Sequence, residues 1–168
     1  KDNRMMDFCT PIIFGSSKVM SQHRKALGIQ DFNFNMITTI NDAHSKKVNL
    51  LNIWKEDINI NLGELSKLSG EYALESIKSS CKALAEGKID VLVTAPIDKS
   101  SIQQKAKEFV GHTEFLEGNF EGEALMIMVS EVMKIAFVTG HIPLSNVKTA
   151  ISIKKIITIN PCYCRSCI

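Results

Sequence analysis

The chain has 168 residues, a formal net charge of +2 at pH 7 and 45% hydrophobic residues. This length corresponds to one domain, which can bury roughly two-thirds of the surface of its unfolded chain. With 20 basic and 18 acidic residues, charge gives no reason to expect nucleic acid or a membrane as a partner. The apolar runs are too short to span a bilayer, and no signal-peptide pattern opens the chain. We therefore expect a cytoplasmic protein.

The first third of the chain predicts a strand, a helix and two more strands. Residues 11–16, PIIFGS, form an apolar run that ends in Gly and predicts a short buried strand. Residues 17–28 carry apolar side chains at helical spacing, and Gly28 is the predicted stop. Residues 36–40, MITTI, and 49–54, NLLNIW, are predicted to be two further short strands, separated by a polar turn.

A long helix followed by a buried strand is predicted next. Ser66 or Ser69 can cap a helix over residues 70–88. The near-continuous apolar run 89–96, IDVLVTAP, is typical of a strand that is covered on both faces. The helix has an apolar stripe that comprises Ala73, Leu74, Ile77, Cys81, Leu84 and Ala85.

Residues 124–130, ALMIMVS, and 134–140, KIAFVTG, are predicted to be two more buried strands. Residues 145–160 have helical spacing, and Ser145 is the candidate N-cap. The order of elements favours a single α/β unit over residues 1–160. The tail, residues 161–168, differs from it in composition.

Two Gly-His pairs mark candidate site loops. In open α/β sheets, ligands bind beyond the carboxyl ends of the strands. His112 in FVGHTEF and His141 in FVTGHIPL would then project from such loops, with Thr113 and Lys99 as further polar groups. Imidazole can bind a divalent metal or an anionic substrate, but these two histidines match no self-sufficient metal motif. Hydrogen-bonded strand-end histidines are the alternative that spacing leaves open.

The motifs VTAPIDKSSI, FVGHTEFLEG and KIAFVTGHIPLSNVKTAIS together resemble the central region of the 4-hydroxythreonine-4-phosphate dehydrogenase family. The resemblance extends more weakly through MMDFCTPIIFGSSKVM and GEYALESIKSSCKALAEGKID, and so covers residues 5–160. It implies a three-layer α/β/α fold similar to isocitrate and isopropylmalate dehydrogenases. It also explains the absence of a G-x-G-x-x-G dinucleotide fingerprint.

The resemblance implies an NAD- or NADP-dependent oxidation and decarboxylation of 4-phosphooxy-L-threonine in vitamin B6 biosynthesis. It implies a homodimer, a small phosphorylated hydroxy-acid substrate and a divalent metal, Zn, Mg or Co. His112 and Thr113 match the family's substrate-binding pair, and His141 matches the first of three metal-binding histidines. Such a metal would lower the pKa of the substrate alcohol and then stabilise the enolate charge.

Parts of the family pattern have no counterpart here. The other two metal histidines and the phosphate-binding Lys, Asn and Arg belong to a C-terminal half that is missing, and a first strand also lacks a match. One histidine cannot hold a catalytic metal, so we expect this chain alone to be inactive. Two alternatives remain open: a dehydrogenase of threonate or erythronate phosphate, and a non-catalytic remnant.

The last eight residues, PCYCRSCI, hold Cys162, Cys164 and Cys167. Read one base later, every Cys codon becomes Val or Ala, which would continue the apolar helical run. We therefore interpret residues 161–168 as an aberrant, frameshifted tail. Half of a metal site is the other interpretation, but no matching Cys or His set lies nearby in the sequence.

Overall fold

The computed structural model describes residues 4–29, 32–59 and 61–166. Contacts within the chain define two compact units, Lys1–Phe120 and Glu121–Ile168. The first unit combines helices with a parallel sheet, as the predicted α/β class requires.

The sheet of the first unit has three parallel strands in the order β1-β3-β2. They are β1 (Ile12–Gly15), β2 (Asn35–Ile37) and β3 (Asn49–Asn52). Strands that run parallel need a crossover connection, and helix α2 (Ser17–Ala26) lies in the connection from β1 to β2, the two strands that flank β3. The predicted strands 11–16 and 49–54 are confirmed in shortened form. Of the predicted strand 36–40, only Met36 and Ile37 lie in β2, and Ile40 begins a 3-10 helix.

The central strand β3 begins at a buried asparagine whose side chain is fully hydrogen-bonded. Asn49 has no exposed surface. Its Nδ2 donates to the carbonyls of Pro11, His44 and Lys47 at 3.0–3.2 Å. Its Oδ1 accepts from Asn35 Nδ2 at 2.8 Å and from the His44 amide at 2.9 Å. Because every polar atom is satisfied, this side chain can be buried where a strand begins.

Helix α3 (Lys67–Ala85) carries the core of the first unit. Ser66 is its N-cap, since the Ser66 side chain accepts from the Ser69 amide, as predicted. Ser76 Oγ donates to the Phe14 carbonyl at 2.9 Å, which links α3 to β1. The core cluster joins this helix to the segments after it and consists of Leu74, Ile77, Cys81, Ile102 and Phe109.

The predicted buried strand over residues 89–96 is wrong. These residues form no strand, and Val91 and Val93 are 73% and 87% exposed. Apolar composition identified a segment that packs through Leu92 against the core. It could not supply the neighbouring strand that a ladder requires.

The second unit contains a short hairpin and two helices. Strands β4 (Ile127–Val129) and β5 (Lys134–Ala136) pair antiparallel. Two strands were predicted at 124–130 and 134–140, and both are present in shortened form. The prediction that they are buried is wrong, since most of their residues are exposed.

The predicted helix over residues 145–160 is two helices, α6 (Leu144–Ala150) and α7 (Ile153–Ser166). Ser145 lies inside α6, so its assignment as N-cap is wrong; Pro143 occupies that position. The break falls at Ile151, whose backbone is extended, and Ser152 Oγ then accepts from the Lys155 amide at 3.2 Å. A second serine cap therefore restarts the helix. Cys167 lies outside the described residues, as do the side chains of Cys162 and Cys164.

The first unit also contains two short helices, α1 (Met5–Phe8) and α4 (Lys99–Gln103). A 3-10 helix, Ile40–Asp42, lies between β2 and β3. Across the described ranges, none of the helices has the length and apolar character needed to cross a bilayer.

Candidate active site

Helix α4 is held at its start by a carboxylate cap. Asp98 accepts from the amides of Ser100 at 3.2 Å and Ser101 at 3.0 Å, and also from the Ser101 hydroxyl. The hydrogen bond from the Ser101 hydroxyl is the main reason that the pKa of Asp98 lies below its ordinary value. Because the cap fixes the first turn, it also fixes the backbone from which Lys99 extends.

The segment after α4 is anchored by one aromatic residue. Phe109 is 5% exposed, and its carbonyl accepts from Gln103 Nε2 at 2.8 Å. Its ring centroid lies 5.9 Å from that of Phe115, which belongs to helix α5 (His112–Glu117). Phe109 thus contacts Gln103 of α4 and Phe115 of α5, and these two contacts position the first turn of α5 relative to α4.

Gly111 allows charged side chains to approach the start of α5 closely. It is buried, and a Cβ added there would lie 3.0 Å from Glu114 Oε2 and 3.3 Å from Lys99 Nζ. Its φ of 174° is extended backbone that any residue can adopt. The missing side chain leaves space here for an ammonium and a carboxylate group to lie against the backbone that leads into His112.

The predicted pair His112 and Thr113 lies at the start of α5, in the first unit. His112 is half-buried and Thr113 is exposed, so both can be reached by a ligand. The expectation that His112 projects from a loop at the end of a strand is wrong, because it is the first residue of a helix. The structure nevertheless brings Lys99 next to Gly111, the residue before this pair, although Lys99 is 12 residues before Gly111 in the chain.

His141 lies in the second unit, after β5. It is exposed, and the amide of Ile142 donates across it to the Gly140 carbonyl at 3.0 Å. The tight turn directs the chain away from the strand before α6 begins at Leu144. His141 is thus the one predicted site residue that follows a strand, as the sequence analysis expected.

A divalent metal that is bound by protein ligands needs about three of them. Within the described part of the chain, no group of three or more His, Cys, Asp or Glu residues could hold a metal ion. The described residues therefore do not form a metal site by themselves, and His141 would supply one ligand.

Sequence reasoning missed a cleft of about 290 Å³ in the first unit. Its volume is at the lower end for ligand pockets. The lining comes from three separate parts of the chain, so no local motif could have revealed it. Apolar and polar residues both line it, and the polar ones are His23, Asn59, Asn61, Glu64, Ser66, Ser69, Asp98 and Ser101.

The sequence is similar to several curated enzymes. It is 37% identical over 154 residues to the 4-hydroxythreonine-4-phosphate dehydrogenase of Bacteroides thetaiotaomicron, covering 90% of this chain and 42% of that protein. The enzyme of the same name from Sulfurihydrogenibium sp. is 32% identical, with 88% and 45% covered. A Clostridium botulinum protein named for D-threonate 4-phosphate dehydrogenase activity is also 32% identical, with 81% and 42% covered. The chain spans less than half the length of these relatives.

Solved structures show the same fold. The 4-hydroxythreonine-4-phosphate dehydrogenase from Burkholderia phymatum superposes with a TM-score of 0.77 at 22% identity, covering 88% of this chain and 46% of that one. The enzyme from Klebsiella pneumoniae gives a TM-score of 0.75 at 19% identity, covering 92% and 49%. The family model described as "Pyridoxal phosphate biosynthetic protein PdxA" matches residues 7–165. The chain therefore belongs to this family of pyridoxal phosphate biosynthetic proteins.

Proposed function

We propose that the chain is part of an NAD(P)-dependent 4-hydroxythreonine-4-phosphate dehydrogenase of vitamin B6 biosynthesis, with a cytoplasmic location. The observation that carries the proposal is the match to the family over residues 7–165. Two relatives with that enzyme name, at 37% and 32% identity, support the same substrate. The reaction transfers a hydride from the secondary alcohol to the nicotinamide, and the resulting keto acid then loses carbon dioxide.

His112 and Thr113 are the proposed substrate-binding residues. A half-buried imidazole can donate a hydrogen bond to an anionic oxygen while packing holds its ring in place. Lys99, whose ammonium group lies beside Gly111, would add a positive charge near a phosphorylated substrate. These residues would bind and orient the substrate, and none of them removes the hydride.

His141 is the proposed metal ligand that this chain contributes. Because the described residues do not form a metal site, no step of the reaction is assigned to a metal here. We therefore infer that the chain alone is inactive and that the intact enzyme, a homodimer, requires residues beyond those present in this sequence.

The name of one relative favours a second substrate class. The Clostridium botulinum relative, at 32% identity, is named for D-threonate 4-phosphate. Both substrates are phosphorylated four-carbon hydroxy acids, and His112 and Thr113 could serve either one. A dehydrogenase of threonate or erythronate phosphate is thus the alternative function.

The proposal can be tested with a hybrid enzyme. Residues 1–160 of this chain are joined to the C-terminal remainder of the Bacteroides relative, and NAD(P)H formation is measured with each candidate substrate. The substitution His112→Ala should lower kcat/KM about 10- to 100-fold, since a hydrogen bond to a charged group contributes about 1.5–3 kcal/mol.

The matched control is His44→Ala. His44 is exposed and accepts a hydrogen bond from the Lys46 amide, away from α5. An active hybrid whose kcat/KM is unchanged by His112→Ala would remove His112 from the site. A hybrid that turns over only threonate or erythronate phosphate would favour the alternative function.

A further inference from the structure

Helix α2 begins with a serine that does not cap it. Ser16 occupies the N-cap position and is 2% exposed, yet its side chain makes no capping hydrogen bond. Within the described ranges, the Ser16 hydroxyl has no other hydrogen-bond partner either. A buried polar group without a partner is uncommon, because burial removes the water that would otherwise satisfy it. An acceptor supplied by a ligand would satisfy this hydroxyl.

The first turn of α2 leaves two backbone donors free at the same place. The Ser17 amide donates to Asn52 Oδ1 at 2.8 Å, which ties the start of the helix to the end of β3. The next two amides, those of Lys18 and Val19, have no hydrogen-bond partner among the described residues. Free amides at a helix start carry the positive end of the helix dipole, so they favour an anion.

A further donor is buried at the same edge of the sheet. Strands β1 and β3 end side by side, since the Ile53 amide donates to the Gly15 carbonyl at 2.8 Å. Ser16 is the residue after Gly15, and Trp54 is the residue after Ile53. The Trp54 Nε1 atom is buried and has no hydrogen-bond partner in the described part of the chain. In α/β proteins, ligands bind beyond this carboxyl edge of the strands.

The unsatisfied groups define the chemistry of the ligand. An indole N–H and a backbone amide can only donate, so the ligand must offer acceptors. Several donors at one helix start suit a phosphate group, which presents three strong acceptor oxygens, better than a carboxylate, which has two. The Asp57 carboxylate does not oppose an anion with an unpaired charge, since it lies 3.3 Å from Lys18 Nζ. Lys18 is exposed, so a small ion can reach the first turn from solvent.

We propose that the start of α2 binds a phosphate group, either as the free anion or as a monoester. The Ser16 hydroxyl and the amides of Lys18 and Val19 donate to its oxygens, and the Trp54 indole supplies a further donor beside them. This site uses none of the residues assigned to the substrate of the proposed function and does not depend on that function.

A phosphate titration of the 168-residue chain, followed by amide NMR spectroscopy, tests this site. The chain has one tryptophan, so its single indole N–H resonance reports on Trp54. Ionic strength is held constant at neutral pH with sodium chloride. We expect saturable shifts of the indole resonance and of the Lys18 and Val19 amides, with a dissociation constant in the millimolar range. Glycerol phosphate is titrated in the same way, and the tighter of the two ligands identifies the monoester or the free anion.

Three serine substitutions locate the ion. Ser16→Ala should weaken binding about tenfold or more, because a hydrogen bond to a charged group is lost. Ser16→Thr keeps the hydroxyl and should bind within about threefold of the wild type. Ser45→Ala is the control, since it removes an exposed hydroxyl from the turn before β3 and should bind as the wild type does. Because Ser16 makes no capping bond, Ser16→Ala should leave Tm in phosphate-free buffer unchanged.

Several results would overturn this assignment. Equal shifts in phosphate and in chloride alone would show an effect of ionic strength and not a site, and an ordered water as the partner likewise predicts no saturable shift. Saturable binding that Ser16→Ala leaves unchanged would place the ion elsewhere. A lower Tm of Ser16→Ala without phosphate would show that the hydroxyl serves the fold. Since turnover is not measured, a failure of the proposed function would not alter these outcomes.

Discussion

Gly70 of α3 and Ser101 of α4 bring two helices into direct backbone contact. A Cβ added at Gly70 would overlap the Ser101 carbonyl and lie 2.6 Å from the Ile102 amide nitrogen. The Ser66 amide donates to Ser101 Oγ at 3.3 Å, which ties the start of α3 to the same residue. This contact fixes α4, and therefore Lys99 and Asp98, relative to the core helix.

The substitution Gly70→Ala should destabilise the first unit by about 1–3 kcal/mol or more, since overpacking against backbone cannot be relieved by a rotamer change. Urea unfolding followed by circular dichroism measures the loss. Gly118→Ala is the matched control, because its Cβ would have contacts no closer than 3.5 Å and its φ of −72° suits alanine. Equal stability of the two variants would contradict the close approach of α3 and α4.

A second glycine substitution separates stability from site geometry. At Gly111 a Cβ would meet the flexible ends of Glu114 and Lys99, not backbone. Gly111→Ala should therefore cost less free energy of unfolding than Gly70→Ala, while it displaces the ammonium group of Lys99. In the hybrid enzyme we expect KM for the phosphorylated substrate to rise. An unchanged KM together with a large loss of stability would show that Gly111 is needed for folding and not for the position of Lys99.

Most elements of the first unit were predicted from the sequence because helical spacing, capping residues and apolar runs are each properties of a short stretch of chain. Helical spacing identified α2 and α3, and the cap at Ser66 was predicted from its residue type alone. Gly28, the predicted stop, has a φ of +66°, which glycine adopts without strain. The apolar runs likewise located β1 and β3, whereas the run 36–40 overlaps β2 only at Met36 and Ile37.

Residues 89–96 could not be placed in this way. An apolar run indicates burial, but a strand also needs a neighbour with free backbone groups, and that neighbour is not encoded in the run. The candidate site was predicted only in part, because one of its features depends on a contact between distant parts of the chain. His112 and Thr113 were found by resemblance, whereas the approach of Lys99 to Gly111 depends on the contact between α3 and α4.

The capping carboxylate of α4 predicts a dependence of stability on pH. Hydrogen bonds from Ser101 lower the pKa of Asp98 in the folded state. The contribution of Asp98 is therefore fully present above the ordinary Asp pKa of about 3.9 and is lost as pH falls through the lower, folded value. Asp98→Ala should lower Tm at neutral pH, and its difference from the wild type should shrink below about pH 4.

Thermal melts across the acid range measure this difference. Asp90→Ala is the control, because Asp90 is exposed and has no hydrogen-bond partner among the described residues. If the Tm of Asp98→Ala differs from that of the wild type by the same amount at every pH, the carboxylate is not the group that caps α4.

The two cysteines outside the tail should differ in reactivity. Cys81 is buried in the core cluster at 3% exposure, and burial raises the pKa of its thiol, whereas Cys9 is exposed. Because the thiolate is the reactive form, iodoacetamide should modify Cys9 in the native protein and Cys81 only after unfolding. Peptide mapping by mass spectrometry reads each site separately, and equally fast labelling of Cys81 would contradict its place in the core.

The central proposal is that His112 and Thr113 bind the substrate of a dehydrogenase, and that the 168-residue chain alone does not turn this substrate over. The most direct measurement compares NAD(P)H formation from 4-phosphooxy-L-threonine by the 168-residue chain alone and by the hybrid with the Bacteroides remainder, at equal concentration and with a divalent metal added. We expect no turnover by the chain alone and metal-dependent turnover by the hybrid, and we expect His141→Ala to abolish the turnover by the hybrid. Turnover by the chain alone at the rate of the hybrid would contradict it.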